Sequence, residues 1–312
     1  MTAPTYGSVA VPSGGTHVTL RTRSIRIRRM AWRIVTYMAL IAMSMVYFLP
    51  MWWMVVSSFK TLEETFTFPP TFFPRVFTLE GYVNAWEYMP WLRHFLNTMT
   101  IIAGTLAGIL LSSTLCAFGF ARLRFPGRDV VFIIMLASMM LPSQVTIIPH
   151  YIFFNALGWL DTFKPLIVPA WFGGGAFNIF LIRQFFTSIP EDLVDAARID
   201  GSSWLGIWWR IMLPLSKPAL TAVTVFVIQR EWNDFFQPLL YLNSKNKLTL
   251  SLALQVFQLV ATGDASTGQY KEIGLYTALM AACTVVTVPI IILFISAQKY
   301  FVQGIQMTGI KG

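Results

Sequence analysis

Long apolar runs, broken by short charged clusters, set the pattern of this chain. Asp, Glu, Lys and Arg are absent from Ile34 to Phe59, His94 to Ala121, Val130 to Leu160, Pro165 to Ile182 and Ile273 to Gln298. Each run reaches the roughly 18 residues that a helix needs to cross a hydrocarbon core. A sixth candidate, from about Leu220 to Leu242, is apolar but holds Arg230, Glu231 and Asp234. The pattern predicts an all-α, polytopic membrane protein with six transmembrane helices.

Composition agrees with this. The chain has 312 residues, of which 55% are hydrophobic and 12% charged, where a soluble domain carries about 25% charged residues. The formal charge of +9 points to orientation in a membrane and not to nucleic acid, because Lys and Arg concentrate on the cytoplasmic side. Arg21, Arg23, Arg26, Arg28, Arg29 and Arg33 precede the first run. Arg122, Arg124 and Arg128 follow the second, and Arg183, Arg198, Arg210 and Lys217 surround Pro214. The intervening connections hold fewer cations, among them Lys60, Arg75, Arg93, Lys164, Lys245 and Lys247. This alternation requires a crossing between Lys217 and Lys245, which admits the sixth candidate and leaves both termini cytoplasmic. Residues 1–32 then form a basic cytoplasmic tail, expected to be disordered, and 33–312 the transmembrane domain. The first apolar run is about twice the ~7–15 residues of a signal-peptide core, so it is read as a retained anchor. Cys116 and Cys283 lie within predicted spans and act as small apolar residues.

Finer features follow from residue type. Phe68-Pro69-Pro70 and Phe73-Pro74 predict extended chain or turns in the connection from Leu62 to Arg93. Trp86, Tyr88 and Trp91 are expected at the lipid interface. Pro142 and Pro149 break the third run, as a packing kink or as a broken helix facing a cavity. Gly173-Gly174-Gly175 permits close helix approach. The segment at about 242–272 is expected to be a polar external loop, and residues from about 299 to 312 a cytoplasmic tail.

The stretch from Pro190 to Pro214 reads as helix, turn, helix. Pro190, Glu191 and Asp192 suit a helix N-terminus. Leu193, Ala196, Ala197 and Asp200 follow at three- and four-residue spacing, and Gly201 supplies the stop. Trp204, Ile207, Trp208 and Ile211 form one stripe of a second helix. Pro214 marks the entry to the next span. On pattern alone this is an amphipathic pair at the cytoplasmic surface, and it could be no more than a surface-lying helix.

These residues resemble the signature of ATP-binding-cassette (ABC) importer permeases: Glu-Ala-Ala, three residues, Gly, nine residues, Ile, any residue, Leu-Pro. Asp195-Ala196-Ala197 is followed at that spacing by Gly201, Ile211, Leu213 and Pro214. Asp195 replaces Glu, and Ser202 stands where Ala is frequent. Ser57 to Thr61, Pro69-Pro70, Asn84, Trp86, Asn97, Leu141-Pro142, Ile148-Pro149 and Trp232-Asn233-Asp234-Phe235 are similar to carbohydrate-type permeases. The nearest branch is the second subunit of maltose permeases, within the binding-protein-dependent inner-membrane component family. The resemblance implies a type I ABC importer transmembrane domain in a bacterial plasma membrane. It implies a coupling helix at Asp195, Ala196, Ala197, Asp200, Gly201 and Pro214, seated in separate ATPase subunits. A second, related permease subunit, an extracytoplasmic sugar-binding protein and membrane lipid are the other implied partners. This sequence holds no phosphate loop of the form GxxxxGKS or GxxxxGKT, so no cofactor is expected in this chain; ATP and Mg belong to the ATPase.

Gln229 to Asp234 interrupt the fifth span. Ionised residues there cost about 2.5–3.5 kcal/mol each, so they face protein or water. Arg230 is expected to bridge to Asp234, four residues on. Gln229, Trp232, Asn233 and Asp234 are the candidate substrate pathway, because aromatic faces with amides suit sugar C–H faces and hydroxyls. Two other classes are open to a chain of this kind. A secondary transporter would use the Arg230/Asp234 cluster for ion coupling, but such carriers carry internal repeats, and none is clear here. A membrane enzyme or metal site is not supported, because His17, His94 and His150 are far apart.

Overall fold

The computed structural model describes residues 17–262 and 275–309. Among these residues all regular structure is helical. The chain divides into two units, Met1–Met54 and Val55–Gly312.

In the first unit a helix that begins at His17 (α1, His17–Ser57) contains Pro50. Its stretch Arg29–Ser57 is long and apolar enough to cross a membrane. Residues from His17 onward in the expected tail are therefore helical, because the basic segment continues straight into the apolar helix. Residues 1–16, where the Gly- and Ser-rich start of that tail falls, lie outside the described residues.

The second unit begins on the last turn of α1. A single turn, Leu62–Thr65, opens a connection that ends in α2 (Glu80–Tyr88). Lys60 and Glu64 are buried here among polar partners. Glu64 accepts from the Thr71 hydroxyl at 2.7 Å and from the Arg75 N–H at 2.8 and 3.0 Å. Lys60 Nζ donates to the Thr71 carbonyl at 2.5 Å. The proline-rich segment thus folds over two charges and satisfies them, as burial demands.

The central element is α3 (Trp91–Arg122). It packs against the segment Lys164–Ile167 and Val168–Trp171, α6 (Ala176–Ser188), α9 (Lys217–Asn233) and α11 (Leu250–Thr262). One seam is built from small residues four apart. A Cβ on Gly104 would meet the Ile167 side chain at 2.8 Å, and one on Gly108 the Trp171 ring at 2.5 Å. Ser112 Oγ donates to the Ala170 carbonyl at 3.1 Å, and Trp171 Nε1 to that of Gly104 at 3.1 Å. Small residues let the backbones approach without clash. Gly173, Gly174 and Gly175 all have positive φ, at 97°, 65° and 89°, so they unwind the chain, and of the three Gly174 also admits α3. The last helix, α12 (Tyr276–Gly309), packs on α2, α9 and α11.

Several expectations need correction. Single helices long and apolar enough to span number four among the described residues, or five if one bent pair counts as a span. The six-helix count is not reached because the third run splits into α4 (Arg128–Ser138) and α5 (Ser143–Ala156), of 11 and 14 residues. Pro142 stands in extended conformation at the break, while Pro149 is accommodated inside α5. The expected loop at 242–272 contains the helix α11, whose Leu250, Leu252, Ala253, Phe257 and Ala261 are buried. Thr262 is its last residue, and 263–274 lie outside the described residues. The expected C-terminal tail continues α12 as far as Gly309. Trp91 leaves the expected interface belt: it is buried, with Nε1 donating to the Ala85 carbonyl at 2.6 Å. Trp86 and Tyr88 are exposed.

Candidate functional site

The Pro190–Pro214 stretch forms the predicted hairpin. Its first arm is α7 (Glu191–Ile199), and its second is α8 (Trp204–Leu215). Ser202 N donates to the Ala197 carbonyl at 2.9 Å and Gly201 N to that of Arg198 at 3.0 Å. These two bonds are a Schellman motif, which places a residue of positive φ just past the helix. Gly201 has φ +80° there. The spacing from Ala197 to Gly201 is therefore the spacing of a helix stop. Ser203 starts the next helix, accepting from Gly206 N at 3.2 Å.

The two faces of α7 differ. Val194 and Ala197 are buried, whereas Leu193, Asp195, Ala196, Ile199, Asp200 and Gly201 are exposed. Ile199 is 86% exposed. On α8, Ile207, Trp208 and Met212 are buried. Trp204 and Ile211 of the predicted stripe are only partly covered, because residues Trp208–Met212 widen into a π-helical turn. Pro214 explains the widening: it has no N–H to continue the ladder, and Leu213 N bonds back to the Trp208 carbonyl. The actual corner lies beyond Pro214, at Ser216, where α8 and α9 meet at 79°.

The buried underside joins the hairpin to the helices. Val194, Ala197, Ile207, Trp208 and Met212 share one core with Ile109, Phe118, Ile182, Phe186 and Val223. Trp204 packs edge-on to Phe118 at 6.2 Å, and the Arg198 guanidinium lies over its ring at 4.6 Å. Arg122, the last residue of α3, donates to the Phe186 carbonyl at 2.7 Å and to that of Ile189 at 2.5 Å. It caps α6 just before the hairpin begins. Arg124 approaches Glu191 at 3.8 Å across solvent. The arrangement exposes an acidic and apolar top on a base packed against α3, α6 and α9.

The second candidate cluster is rearranged. Arg230 pairs with Glu231, its Nη2 and Nε lying 2.6 and 3.0 Å from Oε1. It does not bridge to Asp234. The reason is that α9 ends at Asn233. Asp234 is extended and caps α10 (Phe236–Tyr241), accepting from Phe236 N at 3.0 Å and Gln237 N at 3.2 Å. Gln229 and Asn233 are exposed one turn apart, and Asn233 Nδ2 donates to the Gln229 carbonyl at 2.7 Å. Trp232 points elsewhere: it is buried, edge-on to Phe95 at 6.1 Å. It lines an apolar cavity of about 600 Å³ with Tyr82, Trp86, Trp91 and Phe95, where Glu87 is the one charged lining residue. That lining is mostly apolar and offers few hydrogen-bonding groups for the many hydroxyls of a sugar.

Comparison with known proteins decides between the classes. Residues 101–307 match the family described as the binding-protein-dependent transport system inner membrane component. The chain belongs to this family. Its relatives include the probable ABC transporter permease protein YurM of Bacillus subtilis (strain 168), 32% identical over 84% of this chain and 83% of the relative. The diacetylchitobiose uptake system permease protein NgcG of Streptomyces coelicolor is 29% identical over 85% of this chain and 84% of its own. A chain in the crystal structure of a bacterial ABC transporter involved in import of the acidic polysaccharide alginate superposes with TM-score 0.77. It is 25% identical and covers 89% of this chain and 98% of its own. This is a multi-pass ABC importer permease, a transport subunit. Family membership overturns the secondary-transporter alternative.

Proposed function

We propose that this permease is the translocation subunit of an ATP-driven importer for a carbohydrate, of the di- or oligosaccharide class. The hairpin and both termini face the cytoplasm, in accord with the arginines and lysines that surround it. Separate ATPase subunits, holding ATP and Mg, dock on Asp195, Ala196, Ala197, Asp200 and Gly201. Closure of the ATPases pulls the hairpin, and Pro214 and the 79° corner pass the motion to α9. A second, related permease completes the pathway, and an extracytoplasmic sugar-binding protein delivers the substrate. The carbohydrate assignment draws on relatives named for diacetylchitobiose and alginate. Gln229 and Asn233 line the pathway with amides that exchange hydrogen bonds with hydroxyls. Trp232 backs them from the core, and Asp234 holds the turn beyond.

The observation that carries the docking reading is the exposed top of α7 over an underside fused to the membrane core. Gly201→Asp tests it. Asp tolerates positive φ better than most side chains, and a Cβ at Gly201 meets nothing within 4 Å, so the turn survives while a charge enters the docking face. Membrane insertion and yield stay at wild-type levels, while uptake is lost and the ATPase no longer co-purifies. Normal uptake by this variant overturns the docking assignment.

A further inference from the structure

Asp161 is the single non-glycine residue with positive φ among the described residues, at 56°. It stands in the turn after α5, and four donors converge on its carboxylate. Asn243 N lies at 3.0 Å, Ser244 N at 2.9 Å, Ser244 Oγ at 2.6 Å and Lys247 Nζ at 2.9 Å. Lys247 Nζ also donates to the Asp161 carbonyl, and Asp161 N donates to the Tyr241 carbonyl at 2.7 Å. The Ser244 and Lys247 side chains, with these N–H groups, hold the carboxyl well below its usual range.

The same segment is pinned from its other side by α3. Asn97 Nδ2 donates to the Asn246 and Leu248 carbonyls at 2.9 Å each, and His94 Nδ1 lies 3.1 Å from the Leu248 carbonyl. Leu250 N donates to Thr98 Oγ1 at 2.8 Å. His94, Asn97 and Thr98 thus form a polar row on one helix face. The excursion closes at its base, where Ser251 Oγ reaches the Asn233 carbonyl at 3.3 Å. Residues 233–251 are therefore one looped unit. Its base is the Gln229/Asn233 cluster, and its tip is held by Asp161.

We propose that Asp161 is a positioning residue for transport: by clamping the tip at Ser244 and Lys247, it relays arrival of the binding protein to Asn233 and Gln229. The inference rests on the pathway and orientation given under the proposed function, which put the tip on the outer side. A clasp of this kind suits a relay because it joins two connections far apart in sequence through charge-assisted bonds.

The test uses the complete complex, reconstituted in lipid, with the binding protein as purified carrying the sugar it retains. ATPase activity is measured against binding-protein concentration. Asp161→Asn and Lys247→Met each raise the half-stimulating concentration roughly fivefold or more, with the unstimulated rate per folded complex unchanged. Lys247→Arg, which keeps the charge, restores the wild-type curve. The inference is overturned if both variants follow the wild-type curve, or if stimulation falls only in step with loss of folded complex. A wild-type complex that the binding protein does not stimulate overturns the underlying function, and the relay with it.

Discussion

Glu64 shows how single residues hold the first connection in place. Burial pushes its carboxyl up, but hydrogen bonds from the Thr71 hydroxyl and the Arg75 and Val76 N–H groups, with the Lys60 charge, outweigh burial and leave it below its usual value. A depressed carboxyl contributes stability that is present above the unfolded value of about 4.3 and is lost as pH falls through the folded value. Glu64→Gln is therefore less stable than wild type at neutral pH, and the gap closes as the solution is acidified below about pH 4. Thermal unfolding in detergent across that range checks it; a gap independent of pH contradicts it. The residues around Gly201 were legible in the sequence because a Schellman stop imposes its own local spacing. Glu64, Arg122 and Asp161 were not, because their meaning lies with partners 11, 64 and 83 residues away. Asp234 misled for a related reason. Four-residue pairing with Arg230 holds only inside a helix, and α9 stops one residue short of Asp234.

At the level of elements, apolar runs located the spans, but hydropathy carries no signal for where a span breaks. By hydropathy alone the third run is continuous; Pro142 marks the break, and the helix halts there. Leu250 to Thr262 was hidden by the polar residues beside it. The seam on α3 could have been found, since Gly104, Gly108 and Ser112 stand four apart and small-residue repeats mark close helix contact. Its far end gives a contrast between neighbours. A Cβ on Gly174 would lie 2.9 Å from Ser113 Cβ and 3.0 Å from the Ile109 carbonyl, whereas one on Gly173 meets nothing within 4 Å. Both positions carry positive φ, so Ala is strained at either by about 1–2 kcal/mol. Gly174→Ala additionally forces α6 from α3 and costs about 1–3 kcal/mol more. Denaturation of the two variants side by side measures the difference; equal losses contradict the seam.

For the molecule as a whole, the exposed hairpin, the common core beneath it and the family membership point to one division of labour. The chain is a transport subunit, and on the proposed reading a separate chain supplies the energy. On that reading a partner covers the hairpin's exposed top, while its base packs on α3, α6 and α9. The looped unit at 233–251 follows the other end of the same helix α9. Membrane class and hairpin were readable from the sequence; the links between them were not, because they are contacts among distant segments. The direct measurement is uptake of the retained sugar by vesicles holding the complete complex, with the partner ATPase either intact or carrying a substitution that stops ATP hydrolysis. The account predicts that uptake ceases in the second case, even with a proton gradient imposed. Continued uptake driven by that gradient would contradict it.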